Sequence, residues 1–160
     1  MTTRVGIGYD SHRFIPGGSL ILGGIRIPAD VSLHGHSDAD AVAHAVTDAV
    51  LGAAAAGDIG ALFPNSDEAN AGRDSIEMLR IAVAKVAGMG YSITNADITV
   101  IAEFPHVGRH VPAMCEVLAD ALGVAPDAVS VKGKSNEGMG WIGHGEGLAC
   151  IAVATLTREP

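Results

Sequence analysis

Between His34 and Asp48 the chain reads His-Gly-His-Ser-Asp-Ala-Asp-Ala-Val-Ala-His-Ala-Val-Thr-Asp, which gathers three histidines and three carboxylates in a protein only 18% charged. Imidazoles and carboxylates at that density can bind a divalent metal or pass protons as an acid/base pair. Ser37 is placed to cap a helix, with Asp40 where a capping box has its reciprocal acceptor, and the Ala/Val run reads helical to about Ala56. In that frame Asp40, His44 and Asp48 recur at i, i+4 and i+8 and form one polar stripe, while Val42, Val46, Ala49 and Val50 face apolar packing. The stripe fits a solvated helix face as well as a metal or acid/base site at a helix start.

Two further stretches carry chemistry. Asp10-Ser11-His12 follows a short strand read over Arg4 to Tyr9, and side chains two apart on a strand project the same way. The pair is either a two-ligand claw or a turn acid beside a surface histidine. Gly133 to Gly147 holds six glycines in fifteen residues; such a segment lets the backbone approach a ligand and leaves N–H groups free for phosphate. A Gly/Pro/Asn/Asp-rich loop of about fifteen residues, from Gly57 to Gly72, is long for a connection with no function.

Positioning these groups takes a sheet and several helices. Leu20 to Leu22 and Ile25 to Ile27 flank Gly23-Gly24 as a short hairpin. Asp74 or Ser75 opens an amphipathic helix that closes near Gly88, Ile93 to Ala102 is a β-branched strand, and Val111 to Leu122 is a helix ending at Gly123. Pro126 starts one more turn, and Val129 to Lys132 and Gly147 to Leu156 are the last strands. The order predicts an α/β (α+β) fold in one domain over residues 1–160, with a mixed sheet and helices packed on one face.

A net charge of −8 and a pI near 5.2 argue against nucleic acid or an anionic membrane as partner, since both select basic surfaces. The N-terminus lacks the apolar region of a signal peptide, and the Ala-rich run is too short to cross a bilayer. Cys115 and Cys150 lie apart in apolar patterns and read as reduced core residues of a cytoplasmic protein. A mean hydropathy of +0.32 suits a chain that buries apolar surface between subunits.

Taken in order, Asp10-x-His12, His36-Ser37-Asp38-Ala39-Asp40 with His44, Gly57-Asp58-Ile59-Gly60 with Leu62-Phe63-Pro64, and Gly145-Glu146-Gly147 resemble the 2-C-methyl-D-erythritol 2,4-cyclodiphosphate synthases of non-mevalonate isoprenoid biosynthesis, from Val5 to about Leu156. The resemblance implies a homotrimer with sheets facing the three-fold axis and active sites between subunits. It implies cyclisation of 4-diphosphocytidyl-methylerythritol 2-phosphate, a cytidine diphosphate-type substrate, with release of CMP. Asp10, His12 and His44 match the divalent-metal ligands, with zinc the expected ion, and Glu137 matches the position that holds magnesium or manganese with the substrate phosphates. His36 and Ser135 match transition-state stabilisers. Asp58, Ile59, Gly60, Phe63, Pro64, Asn65, Ser66 and Asp67 fall on the methylerythritol loop; Ala102, Glu103, Phe104, Pro105, His106, Val107 and Gly108 fall on the cytidine segment; Ser37, Lys134, Asn136, Trp141 and His144 complete the implied substrate contacts.

Two imidazoles and one carboxylate leave a fourth position of a tetrahedral zinc open, as catalytic sites do. Asp48 is either the acceptor for the other ring nitrogen of His44 or a plain surface carboxylate. The chain departs from the family pattern in three places. Asn65 replaces a common Asp, Lys134-Ser135-Asn136 replaces a threonine run, and His144 replaces an arginine that faces a cavity on the trimer axis, where histidine lacks the bidentate grip. A zinc phosphohydrolase and a non-catalytic metal-stabilised trimer are the competing readings.

Overall fold

β1 (Thr2–Pro16) is the strand on which the site is built, and the computed structural model describes residues 1–159 around it. β2 (Leu20–Leu22) and β3 (Ile25–Ile27) form the hairpin and β4 (Val31–Leu33) returns beside β1. There follow α1 (Ala41–Ala53), α2 (Ile59–Leu62), α3 (Ser75–Gly88), β5 (Ser92–Ile101), α4 (Val111–Leu122), β6 (Val129–Lys134), α5 (Gly140–Gly143) and β7 (Gly147–Arg158). The main sheet has the order β4-β1-β7-β5-β6; β5 and β6 are parallel, joined through α4, and the other neighbours are antiparallel. This is the mixed sheet read from the sequence.

β1 does not end at Tyr9. It pairs with β7 from Thr2↔Arg158 to Arg13↔Gly147 and then with β4, so Asp10 and His12 sit inside a laddered strand rather than in a turn. The reason is tertiary: β7 and β4 supply hydrogen bonds past the point where local pattern fades, and the chain turns only at Pro16-Gly17.

The start of α1 also differs from the capping-box reading. Asp40, not Ser37, is the N-cap: its Oδ1 accepts from Ala43 N at 3.0 Å and from Gly23 N at 2.9 Å, and its Oδ2 accepts from Gly24 N at 2.7 Å. Asp40 is fully buried and clamps the hairpin turn to the helix start, so it is not part of an exposed stripe. Burial pushes its carboxyl up to about 6, against the pull of these backbone donors. The helix stops short of Ala56, where Ala55 takes a left-handed φ of 54°.

Small residues let α1 lie directly on β1. A Cβ on Gly6 would meet Ala49 O at 2.0 Å, and one on Gly8 would meet Ala45 O at 1.8 Å. Residues 6, 8, 10 and 12 share one face of the strand, so this close approach carries Asp10 and His12 to the N-terminal end of the helix, where His44 stands.

Around this seam the core closes with Leu20 and Leu22, Val42, Val46 and Val50, Leu79, Ile98, Met114 and Leu118, Leu148 and Leu156, all essentially inaccessible. Each such side chain contributes about 1.5–3 kcal/mol relative to exposure. Cys150 is buried within this core and Cys115 is half-buried, both as free thiols; burial pushes the Cys150 thiol far up, in keeping with an inert core residue. The other face of β1 is different: Val5, Ile7 and Tyr9 are 65%, 70% and 55% exposed.

Candidate active site

Asp10 and His12 from β1 and His44 from α1 converge. Asp10 Oδ2 lies 2.8 Å from His12 Nε2 and 3.1 Å from His44 Nδ1, and the two ring nitrogens lie 3.4 Å apart. A tetrahedral zinc with Zn–N bonds of about 2.05 Å separates neighbouring ligand atoms by about 3.3 Å, so the nitrogen spacing fits one ion between them. Among the described residues this is the group of three such side chains whose ligand atoms all lie within 4.8 Å of one another. The donor set and geometry therefore suit a divalent metal, and the residues could hold one.

His12 is prepared for that role by His34, whose backbone carbonyl accepts from His12 Nδ1 at 2.7 Å. In the neutral ring the hydrogen is thereby placed on Nδ1, so Nε2, which gives a hydrogen to Asp10 only when the ring is protonated, can ligate. Electrostatics agree. Burial works to raise the Asp10 carboxyl, but hydrogen bonds from His12 and His44 outweigh it and bring the group below its ordinary range. Burial works to lower His12, and the hydrogen bond to and charge of Asp10 reverse this and raise it.

The three residues line a cleft of about 570 Å³ together with His34, Gly35, His36, Ser37, Ile59, Gly60, Phe63, Asn65, Asn70 and Met78. Ser37 faces this space, as do Ile59, Gly60, Phe63 and Asn65 of the methylerythritol-loop residues read from the sequence. Asp58 and Asp67 instead cap local turns, accepting from Ala61 N at 2.7 Å and Ala69 N at 3.0 Å, and Pro64 and Ser66 are exposed on the loop rim.

Asp48 does not meet the ring of His44. Its Oδ1 accepts from Ile59 N at 2.7 Å, which fastens α2 to α1, while His44 Nε2 faces Ser75 Oγ at 2.8 Å and Ser37 Oγ at 3.0 Å. Asn70 and Arg73, unmarked in the sequence, hold the loop: Asn70 donates to Pro64 O at 3.0 Å and accepts from Arg73 at 3.1 Å, and the guanidinium covers the Phe63 ring at 5.1 Å. The only hint available was the loop's length.

The remaining candidates gather elsewhere. Ala102, Glu103, Pro105, His106, Val107, Gly108, Lys134 and Ser135 line a second cavity of about 360 Å³, with Phe104 on an adjoining surface beside Pro105. Glu103 Oε1 accepts from Asn136 N at 2.8 Å and Gly138 N at 3.2 Å, binding the start of the glycine-rich segment to the end of β5. Ser135 Oγ donates to Glu137 Oε1 at 3.0 Å. Glu137 holds a left-handed φ of 53°, a conformation that a non-glycine residue adopts at a cost of about 1–2 kcal/mol and that is concentrated at functional sites. Trp141 and His144, on and after α5, are exposed and line neither cavity.

A match to the YgbB family spans residues 3–157. The chain belongs to the YgbB family. This YgbB-family chain is 58% identical over 153 residues to the 2-C-methyl-D-erythritol 2,4-cyclodiphosphate synthase of Gemmatimonas aurantiaca, covering 96% of this chain and 92% of that one. It is 51% identical over 152 residues to the synthase of the same description from Symbiobacterium thermophilum, covering 95% and 97%. In three dimensions it resembles the CDP complex of IspF from Plasmodium falciparum, with a TM-score of 0.86, 33% identity, and 99% and 97% of the two chains covered. Among its described residues no helix is long and apolar enough to cross a membrane.

Proposed function

We propose that this chain converts 4-diphosphocytidyl-2-C-methyl-D-erythritol 2-phosphate to 2-C-methyl-D-erythritol 2,4-cyclodiphosphate and CMP, a step of non-mevalonate isoprenoid precursor biosynthesis, as a single-domain enzyme of the cytoplasm. The observation that carries this reading is the Asp10/His12/His44 claw opening into a cleft, in a chain that matches synthases over nearly its whole length.

Asp10, His12 and His44 would hold zinc, and Glu137, with the substrate phosphates, would hold magnesium or manganese. Bound there, divalent ions supply positive charge that offsets repulsion between the two reacting phosphates. The rest falls to the chain. The 2-phosphate, with a second pKa of about 6, is mostly ionised at neutral pH, so no strong base is needed. Its oxygen attacks the β-phosphorus, the bond from that phosphorus to the oxygen of the CMP phosphate breaks, and CMP leaves with the bridging oxygen. His36 and Ser135 stabilise the charge that develops, and Lys134 and amides of the glycine-rich segment add local positive potential. The loop from Asp58 to Asp67 fixes the methylerythritol conformer and residues 102–108 hold the cytidine; holding reactants in the attacking geometry is worth about 7–11 kcal/mol.

The two cavities share no lining residue within one chain, and the exposed Val5, Ile7 and Tyr9 face calls for cover. Both features support a homotrimer packed sheet to sheet, in which the metal half of each site comes from one subunit and the cytidine half from its neighbour. Three chains carry 3 × −8 = −24, so attraction of a polyanion must be local.

Phosphorus NMR of the protein with this substrate and magnesium, before and after chelation, tests the reading. CMP and a cyclic diphosphate, abolished by chelation, are expected. Unchanged substrate with metal-loaded protein, or linear phosphates carrying solvent oxygen, would overturn it.

A further inference from the structure

From Pro64 to Ala69 every residue of the loop after α2 is exposed, and this arc is bracketed by two buried residues, Phe63 and Asn70, that both line the metal cleft. Backbone bonds inside the arc are local turns: Asp67 N donates to Pro64 O at 3.0 Å, Asn70 N to Asp67 O at 3.0 Å and Arg73 N to Asn70 O at 3.3 Å. Turns of this kind bury too little to hold an exposed arc in one place. Side chains tie its two ends together. Asn70 Nδ2 reaches back to Pro64 O at 3.0 Å, Asn70 Oδ1 accepts from Arg73 Nη1 at 3.1 Å, and the guanidinium lies over the Phe63 ring, 5.1 Å from its centre. Arg73 is itself anchored outside the arc. Its Nη2 donates to Glu77 Oε1 on α3 at 3.0 Å, and its backbone carbonyl accepts from Asp38 N at 3.1 Å. The guanidinium thus serves a ring through its face and an amide and a carboxylate through its edge. Only arginine combines these contacts, since the compact ammonium of lysine has neither the flat face nor the rigid fork.

We propose that Arg73 and Asn70 form a latch that sets the arc before the substrate arrives, so that Phe63 and Asn65 already stand as the wall against which the methylerythritol end binds. Both are positioning residues, acting through Phe63 and the arc, and the inference deepens the proposed reaction and rests on it. A chain without the latch must order the arc on binding, and its apparent affinity falls by the fraction of time for which the arc is in place. The loss is confined to the part of the substrate that the arc touches. CDP, which lacks the methylerythritol, does not sense it.

The test uses the full chain loaded with zinc and magnesium, as wild type, Arg73→Lys and Asn70→Ala. Hydrogen exchange followed by mass spectrometry reads the arc directly, without reference to activity. Peptides spanning residues 59–72 should exchange on the order of tenfold faster in both variants, while peptides from β1 and α1 keep their wild-type rates and show that the fold is intact. In steady-state release of CMP, KM for 4-diphosphocytidyl-methylerythritol 2-phosphate should rise about tenfold with kcat within about twofold, the signature of lost binding shared by ground and transition states. Calorimetric affinity for CDP should be unchanged in the same variants. Unchanged exchange in the arc of both variants would overturn the latch. So would a KM that does not move, or a KM and a CDP affinity that worsen together, since the arc would then not serve the methylerythritol end. A wild-type chain that releases no CMP overturns the proposed reaction and this use of the latch with it; faster exchange in the variants would then still show the arc held by Arg73 and Asn70.

Discussion

The Asp10/His12/His44 region and the Ser135/Glu137 region, the metal half and the cytidine half of the proposed site, are built on opposite plans. Asp10, His12 and His44 stand on a laddered strand and a buried helix pressed together at Gly6 and Gly8, with supports behind both imidazoles. Ser135 and Glu137 stand on an exposed turn after β6 whose fixed points are the carboxylate of Glu103 and a left-handed Glu137. The contrast says where mutations act: in the first region function and fold are coupled, and in the second they separate.

The sharpest way to break the comparison is at its seam. Gly8→Ala puts a methyl 1.8 Å from Ala45 O, backbone that cannot swing aside, and should cost about 3 kcal/mol or more in denaturant unfolding. His44→Ala should lower CMP release by more than about 100-fold, since loss of an outer-shell partner alone reaches that figure, and should abolish the stabilisation zinc gives in thermal unfolding. Glu137→Gln in the other half should also suppress CMP release, yet leave unfolding free energy within about 0.5 kcal/mol, because the side chain is exposed. A Glu137 variant that unfolded the chain would erase the distinction.

A pH series sharpens the same point. In the metal-free chain the raised His12 contributes stability that is full below its unfolded pKa of about 6.5 and is lost as pH rises through its higher folded value. The lowered Asp10 contributes stability present above about 3.8 and lost as pH falls through its lower folded value. Zinc works the other way, since its ligands must be deprotonated, so the rise in Tm on adding zinc should be larger at about pH 8 than at about pH 5.5. The smallest effect belongs to Gly52→Ala in α1, where an added Cβ has only Ile7 O at 3.9 Å for company. It should be neutral or stabilise by up to about 1 kcal/mol, the counterpart of Gly8→Ala on the same seam.

Asp10, His12 and His44, the group that could hold a metal, were legible in the sequence because histidine and aspartate at short, regular spacing are rare in an alanine-rich chain. The mixed sheet, the hairpin and the ends of α3 and α4 were legible from Asp74, Gly123 and the glycine pairs. What local pattern could not reveal depends on distant partners. Asp40 looked like a polar helix position until Gly23 and Gly24 arrived from the hairpin, Asp48 until Ile59 took its carboxylate, and β1 seemed to stop at Tyr9 until β7 lay beside it. Ser75 and Asn70 carry no chemical signature of their own; burial beside His44 and Pro64 is what makes them matter.

The claim that the two halves meet between subunits has a direct measurement. His44→Ala, broken in the metal half, and Glu137→Ala, broken in the other, are each purified, mixed in equal amounts, unfolded and reassembled together, and assayed for CMP. If each site takes one half from each of two neighbours, random trimers restore about one quarter of the wild-type activity, the chance that an intact metal half faces an intact cytidine half. Activity that stays at the level of the separate variants in a reassembled mixed trimer would mean that each chain carries its whole site alone.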